Sequence, residues 1–145
     1  MKLKKYDFFY KIYAIINAIG DYMSKVRINL KLKNSNEDLN KEIIGLKRGN
    51  KIHYIDDSVK VTITFDDIVT IRRNSKEYEI ILKFKESEKL DGIYNLKKLN
   101  YNLPIDIKTN KMYIDSGQFK VDYELTSDGV KMDDFLFELK YEVIA

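Results

Sequence analysis

Residues 119–143 read FKVDYELTSDGVKMDDFLFELKYEV, and their alternation decides the fold. Phe119, Val121, Tyr123 and Leu125 occupy every second position. Ser127-Asp128-Gly129 then interrupts, and Phe135, Phe137, Leu139, Tyr141 and Val143 resume the period. A period of two lines one face of a strand, whereas a helix repeats every 3.6 residues. Asp and Gly accept the backbone geometry of a tight hairpin. The stretch is therefore two antiparallel strands joined by a short turn.

The same period runs back along the chain. Val26, Ile28, Leu30 and Leu32 carry it, as do Val59 to Phe65, Tyr78 to Phe84, and Leu103 to Ile107. Shorter candidate strands lie at 43–47, 51–54, 68–72, 90–94 and 111–114. Turn signals separate them at Arg48-Gly49-Asn50, Asp56-Asp57-Ser58, Asp66-Asp67, Asn74-Ser75-Lys76, Thr109-Asn110 and Asp115-Ser116-Gly117. Turns recur at intervals of about 8–12 residues, the rhythm of an all-β sandwich or barrel. No gap has room for the crossover helix of a parallel pair. Short connections favour a meander over a Greek key, and closure removes the exposed edges of so many strands. The fold class expected is all-β, a single closed antiparallel up-and-down barrel of about 8–10 strands.

Composition narrows the function classes. Hydrophobic residues make up 44% and charged residues 34% of 145 residues, which suits one globular domain. Cysteine is absent, so there is no disulfide framework and no thiolate, in keeping with a cytoplasmic protein. The net charge of +3 is carried mostly by lysine, with arginine only at 27, 48, 72 and 73. Acids alternate with these lysines, as in Lys83, Lys85, Glu86, Glu88 and Lys89. No basic stripe forms, and nucleic-acid binding is not expected.

Candidate chemistry is sparse. His53 is the single histidine, and no serine sits in a nucleophile elbow that it would activate. The pairs Asp56-Asp57, Asp66-Asp67 and Asp133-Asp134 lack the spacing of a calcium loop, and neighbouring strand residues face opposite ways. The six glycines form no phosphate loop. No catalytic residue, metal or cofactor is expected, and the chain reads as no enzyme. Arg72-Arg73 stands out, because one guanidinium of two adjacent strand residues must point into the barrel. There it needs a protein acid or a ligand anion as partner. The tyrosines mostly share the phase of their apolar neighbours, where they either fill the barrel or present hydroxyls to a pocket.

Several stretches of residues 24–144 resemble the YwiB-like family, an uncharacterised calycin-type β-barrel family of low-GC bacteria. They are Ser24-Lys25-Val26-Arg27-Ile28, Val69-Thr70-Ile71-Arg72-Arg73, Gly92-Ile93-Tyr94 with Ile105-Asp106-Ile107-Lys108-Thr109, and Val121-Asp122-Tyr123-Glu124-Leu125. Asn74 stands where the family usually has glycine, and Leu96 to Tyr101 departs from its threonine and glycine turn. The resemblance implies a lipocalin-like closed barrel and carries no activity with it. On that fold the interior lining expected is Tyr54, Arg72, Tyr94, Thr109 and Tyr123. The function expected is non-enzymatic binding of a small acidic or amphipathic molecule inside the barrel. The alternative is a filled barrel acting as a protein-interaction or homo-oligomerisation module.

Residues 1–22 form a separate unit before the barrel domain at 23–145. Lys4, Asp7 and Lys11 share one helical face, opposite Phe8, Ile12, Ile15, Ile16 and Ile19. The run is too short and too interrupted for stable membrane insertion. Three readings stay open: a helix docked on the barrel or a second subunit, a membrane-surface helix, or a chain that begins at Met23. The partners expected are a small-molecule ligand or a second copy in a homodimer.

Overall fold

A computed structural model describes residues 23–145; the expected N-terminal helix falls outside the described residues. Ten strands follow in order: β1 Met23–Lys33, β2 Asp38–Arg48, β3 Lys51–Asp56, β4 Val59–Phe65, β5 Val69–Asn74, β6 Tyr78–Phe84, β7 Lys89–Leu96, β8 Tyr101–Asp115, β9 Gln118–Ser127 and β10 Val130–Val143. Each pairs antiparallel with the next, and β1 pairs with β10 from Val26↔Val143 to Lys33↔Leu136, closing the barrel. A 3-10 turn at Lys97–Leu99 separates β7 from β8.

The alternating residues point inward. Val26, Ile28, Val61, Ile63, Ile107, Phe119, Val121 and Leu139 are almost wholly buried. Where hairpins need left-handed backbone, Asp57, Ser58, Asp128 and Gly129 supply it. Aromatic rings fill one end. Phe119 meets Phe65 edge-on at 5.5 Å and Phe137 at 6.1 Å, and Phe84 meets Tyr123 at 4.8 Å.

Three features depart from the sequence reading. Thr109-Asn110 is no turn, because β8 runs straight through it with a bulge between Thr109 and Lys111. That extra residue reverses the phase, so Tyr113 faces outward and is exposed. Asn34 to Glu37 forms the β1–β2 turn, with the Asn34 side chain accepting the Asn36 and Glu37 amides.

Two ladders are short. β2 and β3 pair only from Leu46↔His53 to Arg48↔Lys51, and β6 and β7 only from Tyr78↔Leu96 to Ile81↔Ile93. A glycine stands just where each ladder ends, Gly45 in one and Gly92 in the other.

Candidate binding cavity

The end opposite the aromatic plug holds a cavity of about 980 Å³. It opens where the β1–β2, β3–β4 and β5–β6 turns come together. Its inner wall is apolar, from Leu30, Ile71, Ile80, Leu82, Phe135 and Phe137. Its polar lining includes Lys41, Tyr54, Asp56, Arg73, Tyr78 and Tyr123, with Glu37, Asp57, Lys76 and Glu77 among the groups supplied by the turns at its mouth.

The strand phase explains how Arg73 arrives there. Val69 and Ile71 are buried inward residues of β5, so Arg73, two further on, takes the same face, and it pairs with Val61 and Ile80. Arg72 takes the other face. The sequence expectation of Arg72 inside the barrel is therefore corrected: its Nε donates to Glu79 Oε2 at 2.9 Å on the outer surface. Glu79 directly follows Tyr78 on β6, and its outward phase matches that of Arg72.

Asp56, the last residue of β3, is shared by two cations. Lys41 Nζ donates to Asp56 Oδ1 at 2.8 Å and to Asp57 Oδ2 at 3.0 Å. Those bonds raise the Lys41 pKa above its ordinary value. Arg73 Nη2 lies 3.6 Å from Asp56 Oδ2, too far for a hydrogen bond. Asp57 is 89% exposed, so water screens its charge. Within the cavity Asp56 thus faces two cations, and Arg73 is the less compensated of them.

Tyr54 and Tyr123 complete the polar set. Both are at least 95% buried, and neither hydroxyl has a hydrogen-bond partner among the described residues. Burial pushes both phenols well above the ordinary value, and the Arg73 charge opposes that rise in each. Both therefore stay protonated at neutral pH. A phenol so held is a hydrogen-bond donor and a poor base. The site combines a guanidinium fork with two protonated hydroxyls above an apolar chamber.

The remaining expected lining residues lie elsewhere. Tyr94 faces inward, yet its ring packs beside Tyr78 at 5.9 Å, and Tyr78 lines the cavity instead. Thr109 is fully buried near the opposite end, outside the cavity lining. Its backbone binds the β6–β7 turn through Glu88 and Ser87, and its Oγ1 has no hydrogen-bond partner among the described residues. Arg73 was legible from its phase with Val69 and Ile71, and Lys41 from its phase with Ile43. Asp56 carried no such signal, because its turn setting already accounts for an aspartate. His53 lies on the outer face, 3.1 Å from Thr62 Oγ1. No group of three or more His, Asp or Glu among the described residues is placed to hold a metal.

A family model described as a domain of unknown function (DUF1934) matches residues 47–139, more than half of the chain. The chain belongs to the DUF1934 family. The crystal structure of the ywiB protein from Bacillus subtilis is similar to this barrel, with a TM-score of 0.58 over 85% of this chain and 94% of that one. Sequence identity is 12%, so the likeness is one of fold. It accords with the YwiB-like resemblance of residues 24–144. No curated protein matches this DUF1934 sequence. Among the described residues no helix is long and apolar enough to cross a membrane.

Proposed function

We propose that this barrel binds a small amphipathic anion without catalysing its conversion. The head group lies against Arg73, Tyr54 and Tyr123, and the apolar part lies along Leu30, Ile71 and Leu82. The observation that carries this reading is the inward Arg73, 3.6 Å from Asp56 and set in one cavity with two phenols whose hydroxyls have no hydrogen-bond partner among the described residues. A ligand acceptor seated here would take hydrogen bonds from donors that no described protein group accepts. A carboxylate suits the guanidinium fork in particular. A barrel filled to its mouth would suit an interaction module better; the volume of about 980 Å³ supports a ligand-holding role. The cysteine-free composition supports a cytoplasmic location for that role.

Displacement of a fluorescent amphipathic probe, anilinonaphthalene sulfonate, by dodecanoate tests the reading. Dodecanoate should displace the probe from the native protein. Arg73→Met should weaken dodecanoate by roughly 10- to 100-fold, since a charge-assisted hydrogen bond contributes about 1.5–3 kcal/mol. Dodecanol should lose far less affinity. Arg72→Met, on the outer wall, should leave the dodecanoate affinity unchanged. Equal affinity in Arg73→Met and native protein would overturn the proposal.

A further inference from the structure

The outer faces of β1 to β4 form one wall of the barrel, and its charge is unbalanced. Lys25, Lys51 and Lys60 point outward from it, and none has a carboxylate partner among the described residues. The carboxylates at outward strand positions here are Asp38, at the mouth, and Glu42, which Arg27 holds at 3.3 Å. The wall built by β8 to β10 differs. There Lys108 meets Glu124 at 3.8 Å, and Lys120 and Lys140 meet Glu138 at 4.0 and 3.3 Å. The imbalance is felt locally: burial, reinforced by Lys51 and Arg48, holds the His53 imidazole below its ordinary pKa.

Apolar side chains lie among these lysines. Ile44, Leu46 and Ile55 are 48%, 43% and 62% exposed. The register gathers the two kinds: Lys25 is opposite Leu46, Leu46 is opposite His53, and Ile55 is opposite Lys60. Beyond the Leu46–His53 pair β2 and β3 part, leaving a hollow of about 430 Å³. Its lining is mixed, with Lys25, Lys60, His53 and Thr62 beside the three aliphatics.

We propose that this wall docks on an anionic lipid surface. Lys25, Lys51 and Lys60 lie against the phosphates, and Ile44, Leu46 and Ile55 enter the acyl boundary. Charge complementarity favours an anionic partner, since lysines without a carboxylate of their own lose no ion pair by facing one. The exposed aliphatics narrow the choice, because a lipid surface rewards both attraction to charge and burial of apolar area. Nucleic acid would use only the first: the outward positions of β1 to β4 hold no Phe, Tyr or Trp on which a base would stack. Lysine stems are long enough to lie along apolar surface while the ammonium reaches the head groups. The contact stands on the outer wall alone and does not rest on ligand binding in the cavity.

Co-sedimentation of the full-length protein with lipid vesicles tests this. Phosphatidylglycerol vesicles should carry the protein down at low salt, and phosphatidylcholine vesicles should not. The triple variant Lys25→Gln, Lys51→Gln, Lys60→Gln should bind more weakly on the order of 100-fold, about fivefold for each charge. The triple variant Lys108→Gln, Lys120→Gln, Lys140→Gln has the same net charge and should bind as the native protein does. Arg73→Met should also bind as native, which separates this contact from the cavity. The chain has no tryptophan, so Ile55→Trp supplies a sole indole, whose emission should shift to the blue on phosphatidylglycerol vesicles. Unchanged urea midpoints would verify the fold of each variant. No binding to phosphatidylglycerol, native-like binding by the Lys25, Lys51 and Lys60 variant, or equal loss in both triple variants would overturn the proposal. So would an indole that stays unshifted while polyglutamate captures the protein, which would assign the wall to an acidic protein.

Discussion

Arg72 and Arg73 are adjacent, identical and opposite in role, which shows how strand phase governs chemistry at the scale of a residue. Arg72 meets Glu79 on the surface, while Arg73 enters the chamber. The two phenols near it permit a separate test. Their hydroxyls bind no described protein group, so Tyr54→Phe and Tyr123→Phe should leave the urea midpoint unchanged or raise it slightly. Each should nevertheless weaken dodecanoate by about 2- to 10-fold, the value of one neutral hydrogen bond. His53 provides a pH dependence. Partial burial, with help from Lys51 and Arg48, holds its pKa below 6.5. Between that lowered value and 6.5 the unfolded chain binds more protons than the folded one, so stability falls as pH drops through this window. It is fully present above 6.5. His53→Gln should flatten this part of the profile in urea titrations. The imidazole proton of native protein, unique in the spectrum, should titrate with a midpoint below 6.5.

At the scale of an element, the two short ladders depend on glycine. A Cβ at Gly45 would lie 2.6 Å from the His53 carbonyl oxygen, and one at Gly92 would lie 2.6 Å from the Ile81 carbonyl oxygen and 2.5 Å from Ile107 Cδ1. In both places an obstructing atom belongs to the neighbouring backbone, which cannot rotate away as a side chain would. Gly92→Ala should therefore destabilise the barrel by about 1–3 kcal/mol, the usual cost of overpacking, measured as a lowered urea midpoint. The bulge in β8 belongs to the same scale. It moves Tyr113 to the surface while Met112 packs against the core, and nothing in the alternation of Leu103, Ile105 and Ile107 announced it. Thr109-Asn110 has turn-forming chemistry, but a bulge uses the same residues, and only the pairing of β8 with β9 distinguishes them.

At the scale of the whole molecule, the barrel is plugged at one end and open at the other. Phe119 is the centre of the plug, in ring contact with Phe65, Phe84 and Phe137. Phe119→Ala should cost about 3–5 kcal/mol, again read from urea unfolding, because rings from three other strands cannot all collapse into the space. The plug leaves the open end free to carry the cavity, and Lys41 with Asp56 spans the parted strands beside it. By itself the amino-acid sequence determined the strands, most of the turns, the antiparallel meander and its closure. Those properties follow from side-chain period and turn chemistry, which act over a few residues. Only the tertiary structure decided that β2 leaves β3, that the chamber stays open, and that Asp56 sits between Lys41 and Arg73. These depend on pairing between strands distant in the chain, where one bulge or one glycine moves side chains across the wall without changing the local pattern around them.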